Sequence, residues 1–200
     1  MRVARVVRHF FSRLADYLVI LWRILATIYG SMKDTFVVIH RMKEAGVIEN
    51  YAIGGAIAAM FYVDPFATED VDTFFVIRGA GDTLDLLAPI YEYLGTLGYV
   101  ADGAMINIEG WAVQFLPVYN PLIEEAVEQA REVEYLQILV RVISAEHLVA
   151  IMLDTGRPKD YARIARFLEL DGLDMASLTD ILLRHNLKDK WEEKKERFTP

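Results

Sequence analysis

Apolar positions recur at helical spacing over Lys33–Ala45, through Phe36, Val37, Ile39 and Met42, and Gly46 ends the run. Tyr51–Ile53 predicts a short strand. Gly54-Gly55 follows as a turn, and Ala56–Tyr62 predicts a buried helix that Asp64-Pro65 stops. Asp70–Ile77 alternates as a strand, with Val71, Thr73 and Phe75 on one face and Asp70, Asp72, Phe74 and Val76 on the other. Gly79, Gly81 and Asp82 predict a turn, and Thr83–Leu97 a helix closed by Gly98. Short strands are expected at Tyr99–Ala101, Met105–Glu109 and Trp111–Val118, with Gly110 as the tight connection between the last two. A helix over Pro121–Ala130 precedes strands at Val133–Tyr135 and Ile138–Ile143. Ser144 sets a helix start and the helix runs to about Asp154; Pro158 suits the first turn of the next, to about Leu170. Ser177–Arg184 and Leu187–Arg197 are two further helices. Strands fill the middle and helices both ends, an α+β plan with one small mixed sheet flanked by helices.

Residues 1–31 form an apolar and basic N-terminal helical extension, residues 32–170 the α+β domain, and residues 171–200 C-terminal helices packing on that domain. The extension is too interrupted for a membrane span: its unbroken apolar core is Tyr17–Trp22, bounded by Asp16 and Arg23. No small-residue cleavage pattern marks it as a signal peptide. Three readings stay open: a basic amphipathic helix on a membrane or partner surface, a helix packed on this chain or a second copy, or sequence upstream of a start at Met32.

Composition narrows the classes of function. The chain has 200 residues, 54% apolar and 25% charged, which excludes disorder and low complexity. It has no Cys, which removes disulfides, thiolate metal sites and Cys nucleophiles and fits a cytoplasmic setting. The net charge of −8 divides unevenly: residues 1–31 carry five Arg and one acid, a net +4, and the remainder carries −12. An acidic body disfavours broad electrostatic affinity for nucleic acid, though not a local basic site.

The chemistry concentrates between Ile53 and Asp72. A Gly pair at a strand-to-helix turn lets backbone N–H groups approach a phosphate. Asp70 and Asp72, two apart on a strand, share a face and can hold Mg²⁺ or Mn²⁺ with positions left for phosphate oxygens. Two metals so held would support in-line attack on an α-phosphate. Either piece alone is commonplace; their order, with a helix between, is specific.

Ile53-Gly-Gly-Ala-Ile-Ala-Ala-Met-Phe-Tyr62 leading to Thr68-Glu-Asp-Val-Asp-Thr-Phe-Phe75 resembles the signature of the nucleotidyltransferase superfamily with the polymerase-beta-like fold. Ala145-Glu-His-Leu-Val-Ala-Ile-Met-Leu-Asp-Thr-Gly-Arg-Pro-Lys-Asp160 resembles a second segment of its AbiEii-type toxin branch. The resemblance spans about residues 33–170. It implies metal-dependent transfer of a nucleoside monophosphate from an NTP to an RNA, a protein or a small molecule. Asp70 and Asp72 would bind the metal; Gly54, Gly55, Arg157, Lys159 and Asp160 would serve the nucleotide. The chain departs from the pattern in three places. Gln114 stands where active members carry a third carboxylate; its amide can bind metal but cannot act as a base. Met152 replaces a Lys, and Arg163 replaces an acid one helical turn after Asp160. Gln114 or Glu109 would then complete the metal shell. The alternative is a catalytically degenerate binding or regulatory module in a toxin–antitoxin or defence-like setting, acting through a partner protein or as a homo-oligomer.

The remaining candidates have plainer readings. His147 reads as a surface or capping residue, and Glu124, Glu125, Glu128 and Glu132 as a solvated helix face. Trp111, Phe115, Tyr119 and Tyr161 read as packing residues, and Trp191 as the anchor of a charged C-terminal helix.

Overall fold

The computed structural model describes residues 32–65, 68–77 and 85–198. The extension at 1–31 and the turn expected at Gly79, Gly81 and Asp82 lie outside the described residues. Helix α1 covers residues 32–44 and buries Phe36, Ile39 and Met42, three of the four apolar positions that predicted it. Strand β1 (Asn50–Ile53), helix α2 (Gly55–Ala59) and strand β2 (Asp70–Val76) follow. Helix α2 is shorter than expected: its backbone turns after Met60, and Tyr62 leaves the helix to donate its hydroxyl to the Ile143 carbonyl at 3.1 Å. Helix α3 begins at Ala88 rather than Thr83 and ends at Thr96. Pro89 explains the late start, since proline is accommodated only in a helix's first turn.

Strands β3 (Ala101–Asp102), β4 (Met105–Ile108) and β5 (Trp111–Pro117) precede helix α4 (Pro121–Glu128). Strands β6 (Arg131–Tyr135) and β7 (Ile138–Val142) form a hairpin whose two turn residues, Leu136 and Gln137, both take positive φ. Helices α5 (Ala145–Thr155), α6 (Pro158–Leu168), α7 (Met175–Arg184) and α8 (Lys188–Lys194) complete the chain, with a short 3₁₀ turn at Lys195–Arg197. Among the described residues no helix is long and apolar enough to cross a membrane.

The seven strands make one mixed sheet in the order β3-β4-β5-β2-β1-β7-β6. β1 and β2 pair antiparallel, while β2 pairs parallel with β5 and β1 parallel with β7. In-register partners point the same way across a sheet. Tyr51, Ile53, Thr73 and Phe75 therefore face α1, where Tyr51 meets His40 and Thr35 donates to the Ile108 carbonyl at 2.8 Å. Asp70, Asp72, Phe74, Gln114 and Leu116 share the opposite face, toward α2, α5 and α6.

The C-terminal helices join the same core. α7 buries Leu178, Ile181 and Leu182, and Phe198 is buried against Trp191 and Tyr161. A polar clamp ties α4, α5 and α7 together. Glu125 accepts from Arg184 Nη2 at 2.6 Å, His185 Nε2 at 2.7 Å and His147 Nε2 at 3.2 Å. Ser144 caps α5, its Oγ accepting the His147 backbone N–H at 3.2 Å. This corrects two expectations: Glu125 is no solvated face residue, and His147 is buried, because α4 and α7 close over it. The Arg184 guanidinium and the two imidazoles hold the Glu125 carboxyl down to about 2. A carboxylate depressed on folding stabilises above its unfolded pKa, and that stability is lost as pH falls through the folded value. The melting temperature should drop between about pH 4.5 and 2. Glu125→Gln should flatten that slope and cost roughly 2 kcal/mol at pH 7, read by thermal unfolding. Equal acid sensitivity in both proteins would show that the clamp is not the cause.

Candidate active site: a cleft between β2, α5 and α6

β2 delivers two carboxylates to one face. Thr68 Oγ1 donates to Asp70 Oδ1 at 2.7 Å and fixes that side chain. Asp72 lies deeper, with Gly55 pressed against it: a Cβ on Gly55 would stand 1.9 Å from Asp72 Oδ2. Gly55 also has φ +58, which favours glycine. Gly54 has a different role. Its N–H is given to the Asp72 carbonyl at 2.8 Å, and a Cβ there would strike the Phe74 ring at 2.5 Å. The pair thus divides its work, with Gly54 locking the strand turn and Gly55 facing the cleft.

The opposite wall comes from α5 and α6. Gly156, with φ +70, ends α5, and Pro158 starts α6 at once. Arg157 stands at that junction. Its Nε and Nη2 donate to the two oxygens of Asp160 at 2.7 and 3.1 Å, and its backbone N–H adds a third bond at 3.2 Å. Asp160 is fully buried and accepts all three of these bonds, so it holds Arg157 in place. Lys159 is exposed, outside the cleft lining, yet close enough to act on Asp72.

The cleft encloses about 270 Å³ and has two characters. Asp72, Gln114, Arg157, Asp160 and Arg163 line a charged half; Phe74, Leu116, Leu148, Ile151 and Met152 line an apolar half, with Tyr119 also in the wall. Burial pushes the Asp72 carboxyl above its ordinary range and Asp70 adds to the push, while Arg157, Lys159 and Arg163 pull it back. Gln114 is the register partner of Asp72 across β2 and β5, so the two share a sheet face and both line the cleft, while Asp70 pairs with Ala112 and is outside the lining. Among the described residues no three His, Asp or Glu side chains gather as a metal-holding group. The donors present are two carboxylates and an amide, all hard oxygens, and they suit a dication that takes its other ligands from phosphate and water.

Glu109 does not join them. It follows β4 as the first residue of the β4–β5 turn, with φ 52, and Tyr99 donates to its Oε1 at 2.5 Å.

Among solved structures, an antigenic nucleotidyltransferase-like protein from Paracoccidioides brasiliensis resembles this chain at 15% identity, with a TM-score of 0.51 over 84% of this chain and 91% of that one. The antibiotic-resistance factor ANT(2'')-Ia aligns at 12% identity and a TM-score of 0.49, over 86% of this chain and 97% of that one. The fold is nucleotidyltransferase-like. No protein-family model and no curated protein matches the chain.

The nucleotidyltransferase-like fold brings Gly55, Asp72, Gln114, Arg157 and Asp160 to one cleft from residues scattered over a hundred positions. The two departures at Met152 and Arg163 also line it. The sequence reading missed Tyr119, which it took for core; Tyr119 is 64% exposed. Asn120-Pro121 immediately after it was the available signal, since a helix cap there places Tyr119 in a surface connection. Tyr161 packs as expected, stacked on Phe198 with ring centroids 6.2 Å apart.

Proposed function

We propose that this cleft binds a nucleoside triphosphate together with Mg²⁺ or Mn²⁺, and that the protein transfers the nucleoside monophosphate to an RNA, protein or small-molecule acceptor. One observation carries the reading. The Asp72 carboxylate, with Asp70 beside it on the same face of β2, the side-chain-free surface of Gly55 and an Arg157 fixed by a buried carboxylate meet at a single cleft, which Asp72, Gly55 and Arg157 line. The wall opposite the carboxylates is the 156–163 segment, which supports placing the chain near the AbiEii-type branch it resembles in sequence.

In that reaction an acceptor hydroxyl attacks the α-phosphorus, the bond to the bridging oxygen breaks, and pyrophosphate leaves. Asp70 and Asp72 would hold the cation, which polarises the phosphate oxygens when bound. Arg157 and Lys159 offset negative charge on the phosphates. Leu116, Ile151 and Met152 give the nucleoside an apolar wall. Gln114 takes no proton, so the hydroxyl proton leaves to water.

Gln114 also favours a second reading, a nucleotidyltransferase-like module that binds without transferring. Thermal shift and calorimetry with ATP, GTP, CTP and UTP, with and without metal, test the shared premise. Stabilisation that requires metal and is lost in Asp70→Asn is the expected result. No response to any nucleotide would overturn both readings of the cleft. Pyrophosphate release in the presence of an acceptor then separates transfer from binding.

A further inference from the structure

We infer that the cleft takes one divalent cation with its nucleotide, not two, and that Gln114 sets that number. The inference rests on the reading of the cleft as a nucleotide site. Two dications working together on a phosphoryl group stand about 4 Å apart. They repel four times as strongly as two unit charges at that distance, and shared carboxylates must offset the repulsion. β2 provides Asp70 and Asp72. The neighbouring position is Gln114, in register with Asp72, and it adds one neutral oxygen donor and no charge.

Two other carboxylates that the sequence brings into question are committed elsewhere. Asp160 gives both oxygens to Arg157, and Glu109 is held by Tyr99 at the far end of the β4–β5 hairpin. The facing wall is positive instead: Arg157, Lys159 and Arg163 all act on Asp72. A first dication is balanced by two carboxylates. A second would gain from the protein only an amide oxygen beyond those two carboxylates, in the field of three bases that compete with it for the phosphate charge. Those bases act on the phosphates as fixed positive charge, and Arg157, which gives its Nε and Nη2 to Asp160, keeps its Nη1 donors for a phosphate oxygen. Fixed arginine charge thus stands where a second metal would otherwise be needed.

Gln114→Glu changes charge without changing shape and tests this directly. The full chain is dialysed to equilibrium against Mn²⁺ and a non-hydrolysable α,β-methylene ATP, and manganese and nucleotide retained per chain are both counted. One manganese per nucleotide is expected for the wild type and two for Gln114→Glu. Two in the wild type, or one in a folded Gln114→Glu, would overturn the inference while leaving the nucleotide site standing. No nucleotide retained by the wild type would overturn the reading of the cleft itself, and this inference with it. Gln114→Asp, checked for folding by thermal melting, decides the second count if the glutamate variant does not fold.

Discussion

Asp72→Asn should abolish metal-dependent nucleotide binding and, at the same time, raise the melting temperature of the free protein. The two effects share one cause. Asp72 is carried into the cleft beside Asp70, and burial pushes its carboxyl up. An acid whose pKa rises on folding stabilises the fold below its unfolded value, and that stability is lost as pH rises through the folded value. At neutral pH the ionised group therefore opposes folding, and the amide relieves the opposition. The wild type should lose stability as pH rises above about 4, and Asp72→Asn should lack that part of the slope. Binding should fall by more than the roughly 10–100-fold that outer-sphere partners of a metal site cost. Calorimetry and melting curves between pH 4 and 8 read both effects. A variant that still binds nucleotide with metal would remove Asp72 from the site, and one that melts lower would refute the electrostatic account.

Gly55→Ala should be the most damaging added methyl among the described glycines. The added Cβ would stand 1.9 Å from Asp72 Oδ2 and 2.8 Å from its Cγ, at a residue with φ +58. Left-handed backbone costs a non-glycine residue about 1–2 kcal/mol, and overpacking about 1–3 kcal/mol more. The sum, about 3 kcal/mol, corresponds to a melting temperature lower by roughly 6–12 °C in a chain of this size. Nucleotide binding should fall with it, because Asp72 must move. Adding Asp72→Ala removes the two closest clashing atoms and should return the packing part of the loss but not the backbone part. A Gly55→Ala protein as stable as wild type would show that the turn and β2 are not in contact.

The sequence made the β1–turn–β2 unit readable because its signals are local: a glycine pair, alternation along β2, and carboxylates two apart. The α5–α6 corner was readable for the same reason, through Ser144, Gly156 and Pro158. What escaped was settled by distant partners. His147 looks like a helix-start residue until Glu125, twenty-two positions away, accepts its Nε2–H. Glu109 lies only five residues from Gln114, yet the β4–β5 turn carries it to Tyr99. Asp160 matched a pattern for nucleotide contact, and nothing local in the sequence showed that it would accept three bonds from Arg157. The start of α3 was a local error: Pro89 marked it, and the apolar run before it masked the mark.

The strand order has a consequence for synthesis of the chain. β1 lies between β2 and β7, and its last residue, Ile53, is in register with Val142. On a ribosome adding about 5–20 residues each second, β1 waits roughly 5–20 s for that neighbour, with one edge open. The cleft waits longer, since Arg157, Asp160 and Arg163 emerge after β7. A nascent chain stalled near residue 130 would carry Asp70, Asp72 and Gln114 but not the wall that faces them. A nucleotide held in this cleft would therefore stabilise the fold only near the end of its making, and would not act as a template for the early strands.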